Sequence, residues 1–391
     1  MRKSIFATAI CLAISGAAFA GGMPPQLIIT GVVDMGLKYE KVSGQTGKLT
    51  MESGQENASR INLIALEQIN PDLSVEGFLE IDTEVDSGQL KGINKDQKDA
   101  PGSTLFNAQS TLSLIHREYG QIGFGHLYSF SSNIGQTGWA HRLDPFESYL
   151  EASTFATASF KNLSNTIYWI SPRMSGLQLG AMYSFNGESQ KEVAGDFSKN
   201  NRFWNVAANY EQGPWSLVMT LDGETVSSES RRSNPLQFRV GGSLDAGWAK
   251  FFLGYNYEKN SQRISVESAD GNLGGLYAIG TGIVPDALDN GKGIDKHAVN
   301  LGVQVPLGNG TFAAQYQYLT GKTDNPFVKS LLVGESHIAK NVYTVGYFYP
   351  LSKRTHLYGV VTDSHGSKGL TREVDPSSHR VLGVCGMVHK F

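Results

Sequence analysis

The sequence predicts an all-β protein: a closed antiparallel β-barrel of sixteen strands that crosses a membrane. Three observations carry this reading. Charge-free faces recur at period two, connections alternate between short and long, and the chain ends on a strand-like run closed by a bare phenylalanine. In that last run, 379–391, one face is Val381, Gly383, Cys385, Met387, His389 and Phe391, long enough to cross a thin apolar band. A strand in lipid must be hydrogen-bonded along both edges, so another strand has to close a barrel on it. The candidate partner is the first strand, near 26–40.

The N-terminus reads as a secretory signal. Arg2 and Lys3 precede an apolar run too short to span a bilayer, and Ala18-Phe19-Ala20 is a small-residue cleavage site. Residues 1–20 are therefore expected to leave a single domain, 21–391. Cleavage removes two of the 33 basic residues and no acid, leaving 31 against 36 acids. Such a balance excludes a nucleic-acid binder. Of the two cysteines only Cys385 remains, so no internal disulfide framework is available. The 45 glycines and 16 tyrosines suit many short strands and turns.

Taken in order, the first apolar face is Leu27, Ile29, Gly31, Val33, Met35, Leu37 and Tyr39. Leu73, Val75, Gly77, Leu79 and Ile81 oppose Ser74, Glu76, Glu80 and Asp82. Leu177 to Phe185 and Trp215 to Leu221 repeat the pattern at alternate positions. Phe251, Leu253, Tyr255 and Tyr257 are expected to face lipid, with Lys250 and Asn256 in the lumen. Val299 to Val305, Phe312 to Tyr318 and Tyr343 to Tyr349 follow. A basic charge at the midplane of a barrel's lipid face costs ~2–4 kcal/mol, and none of these faces carries an acid or a base.

Short turns fall near 68–72, 118–120, 172–175, 212–214, 245–247, 307–310 and 350–354. Long polar stretches lie at 41–58, 86–103, 129–161, 187–201, 223–235, 259–295, 320–338 and 363–378. Seven turns and eight loops make fifteen connections and sixteen strands, with both termini on the short-turn side. A membrane barrel with periplasmic turns and extracellular loops has this plan.

Two other classes compete with this reading. An enzyme in a barrel needs a nucleophile–base pair or a carboxylate–histidine cluster on its wall, and the nine histidines scatter singly. No spacing calls for a metal or a cofactor. An adhesive barrel would place its function in the long 259–295 loop. Measurable conductance would tell a barrel that opens a water-filled path from both.

Five stretches, in order, resemble the general porins of Gram-negative bacteria, of the trimeric betaproteobacterial and neisserial type. They are Gly31-Val32-Val33-Asp34; Asn165 to Pro172 with Gly176-Leu177; Val305 to Gly308 with Gly310-Thr311; Leu351-Ser352-Lys353-Arg354-Thr355; and Gly386 to Phe391. The resemblance implies an outer-membrane homotrimer among lipid and lipopolysaccharide, through which small hydrophilic solutes diffuse. It also implies that Phe391 is the signal read by the outer-membrane assembly machinery. Gly31, near the closure, is a candidate for packing between subunits.

In such porins the third loop, here about 129–162, folds into the barrel. Its Asp144-Pro145-Phe146 resembles the family motif, and Asp144, Glu147 and Glu151 would face the wall, or Asp144 would pin the loop through backbone amides. Arg60 retains a wall base, whereas Ile64, Ala108, Gln109 and Val388 stand where the family often has others, and His126 stands in for an arginine. Lys250 and Arg142 are further candidates. Glu76, Glu80, Asp82 and Glu84 share one inward register, as a solvated face or a cation-attracting strip. The expectation is a nearly unselective or weakly cation-preferring pore.

Overall fold

A strand that is apolar on one face and polar on the other satisfies both only between lipid and water, and closure removes its unpaired edges. The computed structural model describes residues 24–90, 105–146, 162–185, 202–227, 232–261, 292–372 and 378–391. Residues 1–20, Glu147, Glu151 and most of the 259–295 loop lie outside these. The chain forms β1 (Gln26–Val42), β2 (Lys48–Ser53), β3 (Arg60–Asn70), β4 (Leu73–Glu84), β5 (Gln89–Leu90), β6 (Gln109–His116) and β7 (Gly120–Tyr128). Then come β8 (Asn162–Ile170), β9 (Leu177–Ser184), β10 (Arg202–Gln212), β11 (Trp215–Ser227), β12 (Arg232–Ser233) and β13 (Leu236–Asp245). The last are β14 (Lys250–Ser261), β15 (Ile294–Leu307), β16 (Gly310–Thr323), β17 (His337–Pro350), β18 (Thr355–Lys368) and β19 (His379–Lys390).

Every pairing is antiparallel, and β1 closes on β19 from Val32↔Lys390 to Val42↔Arg380. The lower half of β1 pairs β3 and its upper half pairs β2, so β2 and β3 are one wall strand interrupted at 54–59. β5 and β12 pair only the tips of β4 and β11. The wall therefore has sixteen strands. The seven short turns join strands at one end, and the chain's last residue sits there too.

That last residue completes the seam. Phe391 exchanges both backbone hydrogen bonds with Gly31 at 3.0 Å, and its ring lies where a side chain on residue 31 would be. Gly31 is thus filled from within the chain, and the expectation that it packs a neighbouring subunit is corrected. Tyr119, Trp169, Trp215, Trp248 and Phe391 are exposed at this end, an aromatic belt at a membrane interface.

The outward register is as expected: Leu253, Leu301, Val345 and Val361 are exposed, while Phe252, Gly254 and Asn256 are buried. The 41–58 stretch, expected as loop, contains β2, whose exposed Leu49 and Met51 pair the outward Tyr39 and Leu37 and continue the apolar face. Inside, the wall is not uniformly polar. Ile294, Ala298, Leu319, Ile338 and Val342 point inward and are buried with Val328, Leu332 and Leu370. The short helix α1 (Pro326–Leu331), capped by Asn325 Oδ1 on Val328 N, covers them from the loop between β16 and β17.

Candidate pore constriction

After β7 the third loop turns into the lumen. Phe130, Trp139, Ala140 and Leu143 are buried with Leu127, Leu163, Met182, Phe203, Ala207 and Val218 of the wall. The Phe130 and Trp139 rings lie 4.5 Å apart at a 33° tilt, in space left by Gly180. Trp139 N donates to Phe130 O and Ala140 N to Ser132 O, both at 2.9 Å, so the loop doubles back on itself. Wall side chains then hold its backbone. Asn205 Oδ1 accepts from Phe130 N at 3.2 Å, Arg239 donates to Ser131 O, Asn300 to Leu143 O and Gln304 to Pro145 O. Ser131 Oγ donates to the Asp222 carboxylate. Beyond it, Phe146 meets Phe348 at 6.0 Å.

Asp144 resolves in favour of pinning. Its Oδ1 accepts from Phe146 N at 2.8 Å and the residue is buried, so it shapes its own turn instead of presenting charge to the lumen. Arg142 reaches Glu211 at 2.7 Å, and Arg173 reaches the same carboxylate at 3.2 Å. Lys250 is in the inward register, its Nζ 4.9 Å from the centre of the Phe252 ring.

Glu76, Glu80 and Asp82 are inward and buried. Arg60 Nε lies 3.5 Å from Glu80 Oε2, and Gln136 of the loop donates to Glu76 Oε1 at 3.4 Å. Gln109, also buried, is the register partner of Glu80. Ile64 and Val388 are inward and apolar.

His126 does not line the pore, which corrects the expectation. It pairs Ser110, which lies between the inward Gln109 and Thr111, and it continues the outward series of Ile122 and Phe124. Its Nδ1 is 2.8 Å from Ser164 Oγ. Four inward bases were not expected. Arg239, Lys296, Lys340 and Arg380 are, like Lys38, buried on the inner side. Lys38 pairs Glu52 at 3.2 Å, Lys296 pairs Glu258 at 3.0 Å and Arg380 pairs Glu40 at 2.9 Å. Alternation with apolar neighbours, as in Phe238-Arg239-Val240, was the available signal.

A closed barrel of this size, apolar outside and narrowed inside by one of its own loops, is a membrane channel. The chain belongs to the Gram-negative porins, whose family model matches residues 7–369. An outer membrane porin protein of Bordetella pertussis is 24% identical over 394 residues, 92% of this chain and 93% of the relative. Outer membrane porin protein 32 of Delftia acidovorans is 23% identical over 92% of this chain and 88% of its own. Among solved structures, the anion-selective porin from Comamonas acidovorans matches with a TM-score of 0.65 at 19% identity, over 94% of this chain and all of that one. The trimer form of OmpT from Vibrio cholerae matches with a TM-score of 0.57 at 13% identity, over 94% and 99%. The protein is an outer-membrane channel for small hydrophilic solutes and ions, not an enzyme.

Proposed function

We propose that the chain, after loss of residues 1–20, works as a homotrimer embedded in outer-membrane lipid and lipopolysaccharide, and that each barrel is nearly unselective or weakly cation-preferring. The trimer form of the similar Vibrio cholerae protein supports the assembly. The selectivity rests on one observation: among the described residues, Lys38, Lys296 and Arg380 inside the barrel are paired with acids, whereas Glu76 meets the amide of Gln136. Paired charges project little net field into a pore, and an unmatched carboxylate attracts counter-ions from its low-dielectric wall. The pore-lining set is Arg60, Glu76, Glu80, Asp82, Gln109 and Lys250, with Arg142, Glu147 and Glu151 from the loop. Reversal potentials in a potassium chloride gradient across a planar bilayer test it. A potassium preference near or slightly above unity at pH 7 is expected; a clear chloride preference, as the name of the Comamonas protein reports for that pore, would contradict it.

Phe391 is proposed as the residue that the assembly machinery reads, supported by its exposed position at the seam. Deleting it is expected to lower the amount of assembled trimer on unheated gels without changing conductance per channel.

A further inference from the structure

We propose that residues 54–59 are a second constriction of this pore, beside the one made by loop 3, and that they fix its local charge by holding Arg60. The proposal rests on the channel reading. It begins from a mismatch of lengths. Met35 pairs Ser53 and Val32 pairs Arg60, so six residues of one strand face only Val33 and Asp34 of the other. A bulge of that size cannot stay in the sheet and has to leave it toward lipid or toward the lumen.

It goes to the lumen. Glu56 Oε2 comes within 3.5 Å of His356 Nε2, on the inner face of β18, so the segment passes across the inner face of β19. Val388, which is inward and pairs Asp34 in register, is fully buried in one apolar cluster with Val32, Tyr358 and Val384.

The fastening is specific. Asp34 Oδ2 accepts from Glu56 N at 2.6 Å and from Asn57 N at 2.8 Å. Asp34 N donates to Ser59 Oγ at 3.0 Å, and Asp34 O accepts from Gly54 N at 3.0 Å. The other carboxylate oxygen accepts from Tyr358 Oη at 2.8 Å. Tyr358 starts two strands away and reaches Asp34 across Gly386 and Gly36, where a Cβ would come within 2.6 and 2.9 Å of its hydroxyl. Two inward glycines thus make the path for one tyrosine, which locks the carboxylate that holds the segment.

The segment in turn holds the pore's charge. Arg60 Nη1 donates to Asn57 Oδ1 at 2.8 Å and to Ala58 O at 2.9 Å, leaving Nε toward Glu80. Loop 3 touches the same pair of strands from its own side, through Gln136 and Glu76. The acid strip of β4 therefore spans the gap between two projections, and Arg60 is placed in that gap by the smaller one.

Two variants test this. In the first, two residues replace 54–59, which restores an unbroken register between Ser53 and Arg60. Heat-modifiable migration in unheated detergent reports whether the barrel forms. Single-channel conductance is then expected to rise about twofold, as the pore widens. An assembled barrel with wild-type conductance would overturn the proposal. The second variant keeps the segment: Asn57→Cys in a Cys385→Ser background, treated with a bulky water-soluble thiosulfonate. Labelling is expected to cut current by roughly half or more, and reagents of opposite charge should move the reversal potential in opposite directions. A fully labelled channel that conducts like the unlabelled one would overturn it as well. Absence of current from the wild-type protein would instead sink the channel reading itself.

Discussion

Loop 3 and the 54–59 segment both leave the wall for the lumen, but they are held there differently. Loop 3 buries Phe130, Trp139 and Leu143 against Met182, Phe203 and Val218. The shorter segment has no large apolar side chain to bury and hangs on one carboxylate, two backbone amides and a tyrosine. A long excursion can carry its own apolar surface, whereas six residues have to be tethered by charge-assisted hydrogen bonds. The comparison implies that loop 3 should respond to loss of volume and the segment to loss of charge.

The largest effect is expected from Phe130→Ala combined with Trp139→Ala. Truncating a buried aromatic side chain costs ~3–5 kcal/mol, here taken mostly from loop docking. Single-channel current should become larger and noisier while the thermal stability of the barrel changes little. A quiet wild-type current would break the comparison on the loop side.

Next comes Asp34→Asn. Hydrogen bonds to a charged group contribute ~1.5–3 kcal/mol each, and the amide keeps an oxygen for the two segment N–H groups but loses the charge and the second acceptor that Tyr358 uses. Assembly should persist, with brief current fluctuations added. The same flicker appearing in the loop 3 variant at equal amplitude would mean that the two projections are not independent.

The smallest effect is a pH dependence. His141, in the loop's 3-10 turn, bonds Gly138 O at 3.1 Å; burial first, then the charges of Arg142 and Lys250, push its pKa down to about 3. An undocked His141 would titrate near its ordinary value of ~6.5. The undocked loop therefore binds the extra proton. His141's contribution to docking is full above the ordinary value and is lost as pH falls from there toward about 3. Current noise should grow between pH 7 and pH 4, and less so in His141→Phe.

The outer face was legible because lipid enforces a single rule, so Leu253, Leu301 and Val345 could be placed from alternation alone. The inner face obeys no such rule. Ile294, Leu319 and Ile338 are apolar there because α1 lies over them, and Val388 because it is buried in a cluster that Phe146 of loop 3 joins. Neither packing partner is visible from the strands themselves. His126 was misplaced by likeness to an arginine position, although Ile122 and Phe124 already set the parity. Lys296 and Arg380 were missed because bases were sought only where the family often has them. The tether was half visible: Asp34 stood in a resembling stretch, but its partner Tyr358 is more than 300 residues away.

The central claim is a passive water-filled pore whose limit is set by two projections and not by a solute-specific site. Swelling of liposomes that contain the wild-type protein, driven by neutral sugars of increasing size, tests it most directly. The account predicts rates that fall smoothly with solute size, whatever the sugar's stereochemistry. One sugar entering much faster than a smaller one, or no swelling with any of them, would contradict it.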